Sequence, residues 1–192
     1  MKTNTILFIA LVICMLLNNY IGLYISGKHG SKIPWWPNII KSRDYTFYFI
    51  YIFYIALLVN AIASIFEEEY IFPLALLGFI PILLSTYINF VARRDLARYW
   101  TPFASTGKEQ KLVKTGIYAK ARHPIYLSGL FLSLGFTLIA GNLYGLLFFI
   151  LSLVAIVIRI KKEERELIKR FGEEYKQYAK ETPLLIPKWK EK

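Results

Sequence analysis

The stretch Gly116-Ile-Tyr-Ala-Lys-Ala-Arg-His-Pro-Ile-Tyr126 carries a polar, basic segment into an apolar run that stops at Gly141-Asn142 and resumes at Leu143. Proline has no backbone N–H and is best tolerated in the first turn of a helix, so Pro124 marks a helix start. The N–H groups exposed there, with Arg122 and His123 beside them, make that end suited to holding an anion. Gly141-Asn142 is turn chemistry, which makes Tyr126 to Ala140 and Leu143 to Ile158 an antiparallel helical pair. Such a hairpin sets the start of one helix beside the end of the other, and so makes neighbours of His123 and Arg159.

Working outward, the chain has 192 residues, 56% hydrophobic and 17% aromatic, yet a formal charge of +11; its mean hydropathy is +0.41. Apolar runs near the length that crosses hydrocarbon, roughly 20 residues, recur and separate the charged parts. Three of them precede the hairpin: Thr5 to Ile25, Tyr45 to Phe66 and Tyr70 to Val91. The reading is an all-α integral membrane bundle of five transmembrane helices. It forms one membrane domain over 1–192, with three N-terminal spans in 5–91 and a polar loop, a helical hairpin and a C-terminal helix in 92–192. From Lys161 to Lys180, Leu167, Phe171, Tyr175 and Tyr178 recur at helical spacing. They predict a cytoplasmic amphipathic helix lying against the membrane face, interrupted at Gly172 and ended by Pro183 and Pro187.

The connecting charges give an orientation, because basic residues collect on the cytoplasmic side. Lys28, Lys32, Lys41 and Arg43 follow the first span, Glu67-Glu68-Glu69 the second, and eight Lys or Arg the third; the Gly141-Asn142 turn is neutral and the tail after Ile158 is basic. The alternation predicts an outside N-terminus, with the C-terminus and the polar segments cytoplasmic. Lys2 and the run after it imitate a secretory signal, but Asn18-Asn19-Tyr20 offers no small-residue cleavage pattern, so a retained helix is expected. Trp35, Trp36, Tyr99, Trp100 and Trp189 fall near span ends, as in an interfacial aromatic belt.

Composition and motifs also exclude. The single cysteine, Cys14, has no partner for an intrachain disulfide. His29 and His123 are the only histidines, so no zinc site can be built from several imidazoles, and no metal site is expected. Walker, Gly-x-Ser-x-Gly and Gly-x-Gly-x-x-Gly patterns are absent. Topology accounts for the basic charge, so no nucleic-acid partner is expected. Lys108, Lys111, Lys114, Lys120 and Arg122 border a membrane and could meet anionic headgroups, the reading preferred for Lys114 and Lys120. Arg159 and Glu163 lie one helical turn apart and share a face, either as a salt bridge or as a functional pair.

The run Lys111-Leu-Val-Lys-Thr-Gly-Ile-Tyr118, then Arg122-His-Pro-Ile-Tyr126, Arg159-x-x-x-Glu163-Glu164 and Phe171-Gly-Glu-Glu-Tyr175-x-x-Tyr178 resembles the isoprenylcysteine carboxyl methyltransferase family in order and spacing. The resemblance covers about Gln110 to Pro187 and is closest to the short five-span archaeal and bacterial form. Arg-His-Pro also recurs in phospholipid methyltransferases and sterol reductases. The resemblance implies S-adenosyl-L-methionine as cofactor and S-adenosyl-L-homocysteine as product, bound at the cytoplasmic end of the last hairpin. Cofactor contacts are implied at Gln110, Lys111, Leu112, Val113, Tyr118, His123, Pro124, Ile125, Tyr126 and Glu163, with Arg159 meeting the substrate.

The implied partner is a lipophilic or prenylated acceptor within membrane lipid. A helix N-terminus with His123 suits the cofactor's carboxylate and Glu163 its ammonium. A carboxylate acceptor is already ionised near neutral pH, so methylating it requires no base. Methylation of a phospholipid amine, an NADPH-dependent membrane reductase and a non-enzymatic scaffold are the alternatives.

Overall fold

In the computed structural model the described residues are 2–28, 45–67, 70–96, 99 and 111–186. Trp35, Trp36, Trp100 and Trp189 of the expected aromatic belt, His29, and Gln110 of the expected cofactor site lie outside them. Among the described residues the chain is helical: α1 (Lys2–Lys28), α2 (Tyr45–Ile65), α3 (Phe72–Leu96), a 3₁₀ turn (Gly116–Ala119), α4 (Pro124–Ala140), α5 (Leu143–Phe171) and α6 (Glu173–Glu181). Within α2, α3 and α5, the stretches Tyr48–Ile65, Phe72–Leu96 and Leu143–Phe171 are long and apolar enough to cross a membrane, while Asn4–Asn18 and Pro124–Ala140 are shorter apolar helices.

The hairpin forms where expected. Gly141 ends α4 in the left-handed conformation, φ 61°, with its N–H donating to Thr137 O at 2.9 Å. Asn142 caps α5 by accepting the Gly145 N–H at 2.8 Å. The same amide reaches sideways to α2, donating to Ser64 Oγ at 2.8 Å and accepting from Asn60 Nδ2 at 3.0 Å. The turn is thus tied to a second helix by polar bonds in otherwise apolar surroundings.

Helix α4 packs between α3, α2 and α5. It crosses α3 at glycine: a Cβ on Gly78 would lie 2.7 Å from Gly135 O, and one on Gly135 would lie 2.4 Å from Ile82 Cγ1. Small residues let the two backbones approach, the means by which helices associate where lipid offers no hydrophobic drive. Leu11 of α1, Leu57 and Ala61 of α2, Ile82 of α3 and Phe136 and Ile139 of α4 form the dry core beside that crossing.

Two expectations are corrected. The last span and the amphipathic helix are not separate, because nothing between Ile158 and Phe171 breaks the helix and α5 runs on until Gly172, φ 54°. The apolar face assigned to the membrane surface instead turns inward, since Tyr175 and Tyr178 are buried. The chain reverses at Gly172 and folds α6 back over the end of the hairpin.

Replacing Gly135 with valine should force α3 and α4 apart and cost about 1–3 kcal/mol. Thermal unfolding in detergent checks this; an unchanged midpoint would show that the crossing is loose.

Candidate active site

The Arg-His-Pro turn is held from behind by the C-terminal segment. The backbone N–H groups of Arg122 and His123 donate to Pro183 O and Leu184 O, each at 3.0 Å. The Arg122 guanidinium donates to the carbonyls of Ala179 at 2.5 Å and Thr182 at 3.1 Å. His123 is the N-cap residue of α4 and Pro124 sits in the first turn, as the proline chemistry predicts.

The approach to this turn is fixed as well. Asp95, near the end of α3, accepts the Ile117 N–H at 2.9 Å. Gly116 has φ 62°, and a Cβ there would fall 2.1 Å from Asp95 Oδ2, so glycine is required on both counts. The Tyr178 hydroxyl donates to Tyr118 O at 2.6 Å. Lys114, for which a headgroup partner was expected, pairs with Glu174 of α6 at 2.7 Å.

These elements enclose a cavity of about 390 Å³. Of the residues singled out in the sequence, Lys111, Leu112, Val113, Tyr118, His123, Pro124, Ile125, Tyr126, Arg159 and Glu163 all line it. Residues 111–126 and 159–163 therefore meet at one site. Arg159 and Glu163 are joined through a third group: Arg159 Nε donates to the Tyr126 hydroxyl at 3.0 Å, and that hydroxyl donates to Glu163 Oε2 at 2.6 Å. A second Arg159 nitrogen donates to Thr46 Oγ1 of α2 at 2.9 Å.

His123 is engaged differently from expectation. Its Nε2 lies 2.6 Å from Glu164 Oε1, which also accepts from the Tyr175 hydroxyl, while Arg122 stands 3.2 Å from Glu164 Oε2. Glu164 thus binds three residues that line the cavity. Burial raises the Tyr175 pKa, and the hydrogen bond to Glu164 adds to it; burial likewise raises Tyr118, with the charge of Glu163 adding. Both phenols stay neutral, and that of Tyr175 donates to Glu164.

Glu164 stood in the sequence pattern without a role, and the contribution of the N-terminal helices was not anticipated. Asn18, Tyr54, Asn89 and Arg93 also line the cavity. Asn89 donates to Asn18 at 2.9 Å and accepts from Arg93 Nε at 2.9 Å, which links α1 to α3. Polar side chains within apolar spans were the available signal.

Glu164→Ala should leave Arg122, His123 and Tyr175 without their shared acceptor. Hydrogen exchange should then quicken in 173–184 while α2 stays protected; equal protection in both proteins would show that Glu164 holds nothing.

Comparison with known proteins fits this site. Residues 74–174 match the family model described as phospholipid methyltransferase. The chain is 32% identical over 133 residues to the protein-S-isoprenylcysteine O-methyltransferase of Schizosaccharomyces pombe, covering 68% of this chain and 53% of that protein. It is 33% identical over 114 residues to the Saccharomyces cerevisiae protein of the same name, covering 58% and 48%. It is 31% identical over 118 residues to the methanethiol S-methyltransferase of Crocosphaera subtropica, covering 60% and 46%. The chain spans about half the length of the curated relatives it matches. With more than half of its residues matched, the arrangement around Arg122-His-Pro and Arg159-x-x-x-Glu163 marks the chain as a member of the phospholipid methyltransferase family, with isoprenylcysteine methyltransferases among its relatives.

Proposed function

We propose that this protein transfers a methyl group from S-adenosyl-L-methionine to the carboxylate of a lipophilic acceptor of the isoprenylated-cysteine class. The observation that carries the reading is Arg159, a buried guanidinium that lines the cavity beside Tyr126 and Glu163. The cofactor supplies a methyl group made electrophilic by its sulfonium and leaves as S-adenosyl-L-homocysteine.

The residues present suit such a guest. The start of α4 offers N–H groups without intrahelical partners. Arg122 Nε is buried with no hydrogen-bond partner among the described residues. Together they suit the carboxylate of the cofactor's amino-acid end, and Glu163 suits its ammonium. Lys111, Leu112, Val113, Tyr118, His123, Pro124, Ile125 and Tyr126 supply the remaining wall, and Gln110 is assigned to it on the motif.

Arg159 aims the acceptor carboxylate. An ionised carboxylate has no proton to lose, so orientation and exclusion of water suffice. Among the described residues lining the cavity are Arg93, Lys111, Arg122 and Arg159 and one carboxylate, Glu163; with Glu164 behind the wall pairing with Arg122, four cations stand against two carboxylates. That excess of positive charge favours an anionic acceptor over the ammonium of a phospholipid headgroup. N-methylation of such a headgroup is the second reading, favoured by the family's description.

In the proposed arrangement five helices span the membrane, with α1 and α4 completing the set. The N-terminus is outside, and the site, α6 and the C-terminus are cytoplasmic, as the loop charges support. The acceptor's tail lies between the helices.

The test is methyl transfer in lipid nanodiscs to N-acetyl-S-farnesylcysteine, phosphatidylethanolamine and a thiol, with calorimetry of S-adenosyl-L-homocysteine binding. The reading predicts a base-labile methyl ester on the first. Arg159→Ala should lower turnover at least about a hundredfold while binding persists, and Glu163→Ala should weaken binding. Transfer only to phosphatidylethanolamine would establish the second reading; equal turnover in wild type and both variants would exclude a catalytic site here.

A further inference from the structure

We propose that Phe136 sets the longest acceptor tail this site accepts, so that the deep arm of the cavity measures chain length. The inference rests on the proposed function. Along the helices the cavity wall runs from Pro124 to Phe136 on α4 and from Ile50 to Leu58 on α2, with Met15 and Asn18 on α1 and Ser85 to Leu96 on α3. Phe136 stands ten residues beyond Tyr126, about 15 Å along the helix. An extended farnesyl tail reaches about that far, and the added isoprene unit of a geranylgeranyl tail overshoots it.

The end of the arm is closed by rigid packing. Phe136 is 1% exposed and belongs both to the cavity wall and to the dry core, against Leu11, Leu57 and Ile82 at 0%. Met15 and Leu58 pack on the same core. Beside Phe136 the α3–α4 crossing leaves no slack, since even a Cβ on Gly135 would meet Ile82 at 2.4 Å. A close-packed interior resists added volume, so the floor does not yield to a longer chain. Between α2 and α4 the Tyr54 hydroxyl fills the space over Gly129, where a Cβ would lie 2.0 Å away.

The test compares kcat/KM for N-acetylcysteine carrying geranyl, farnesyl and geranylgeranyl tails, in nanodiscs, with S-adenosyl-L-homocysteine binding as the check on folding. Wild type should favour farnesyl over geranylgeranyl. Phe136→Ala should raise the geranylgeranyl-to-farnesyl ratio about tenfold or more. Leu58→Phe, which shortens the arm, should shift preference toward geranyl. Phe136→Leu should move the ratio as alanine does, but less, and decides the matter if the alanine variant fails to bind. Equal kcat/KM for all tails in wild type, or an unmoved ratio in binding-competent Phe136 variants, would show that the tail leaves sideways between helices and overturn the ruler. Absence of transfer to every prenylcysteine in wild type would overturn the acceptor assignment and the ruler together.

Discussion

A guanidinium in an apolar bundle must be met by polar partners, because removing an ion from water costs several kcal/mol and only good geometry repays it. Arg159 is 2% exposed. Its partners come from other helices, Thr46 on α2 and Tyr126 on α4, and Tyr126 passes the connection back to Glu163 on α5. Satisfying one buried charge therefore fixes three helices relative to one another beside the cavity. Apolar packing in the rest of the bundle, including the glycine crossing of α3 and α4, specifies how close the helices come but gives no such register.

A second polar cluster secures the entrance. Glu164 receives His123, Tyr175 and Arg122, and the backbone of the Arg-His-Pro turn pairs with Pro183 and Leu184. These contacts turn the end of the hairpin, the 3₁₀ turn and the C-terminal segment into one wall. Adjacent glutamates thus have different tasks, Glu163 facing the cavity and Glu164 holding residues that face it. Along α4 the first turn and Phe136, ten residues beyond Tyr126, both line the cavity.

The hairpin was legible because its signals are local: a proline that cannot continue a helix, a Gly-Asn turn and apolar runs of helical length. Those signals, with the motif spacing, brought Lys111 to Glu163 into one cavity. Partners set by tertiary contact were not legible. The spacing that puts Arg159 and Glu163 on one face does not show that the Tyr126 hydroxyl stands between them. Nor does it show that the His123 imidazole is turned toward Glu164. The apolar face of 161–180 looked like a membrane-surface helix because amphipathic periodicity is the same whether the cover is lipid or protein; the reversal at Gly172 decides it. Asn18 and Asn89 read as isolated polar residues until α1 and α3 are side by side.

The central claim is that two segments distant in sequence, 111–126 and 159–178, form one binding site for a nucleoside-sized methyl donor. Photoaffinity labelling with a photoreactive S-adenosyl-L-homocysteine analogue in nanodiscs, followed by peptide mapping, tests it most directly. The account predicts label in both segments, displaced by unlabelled S-adenosyl-L-homocysteine. Displaceable label confined to 2–96 would contradict it.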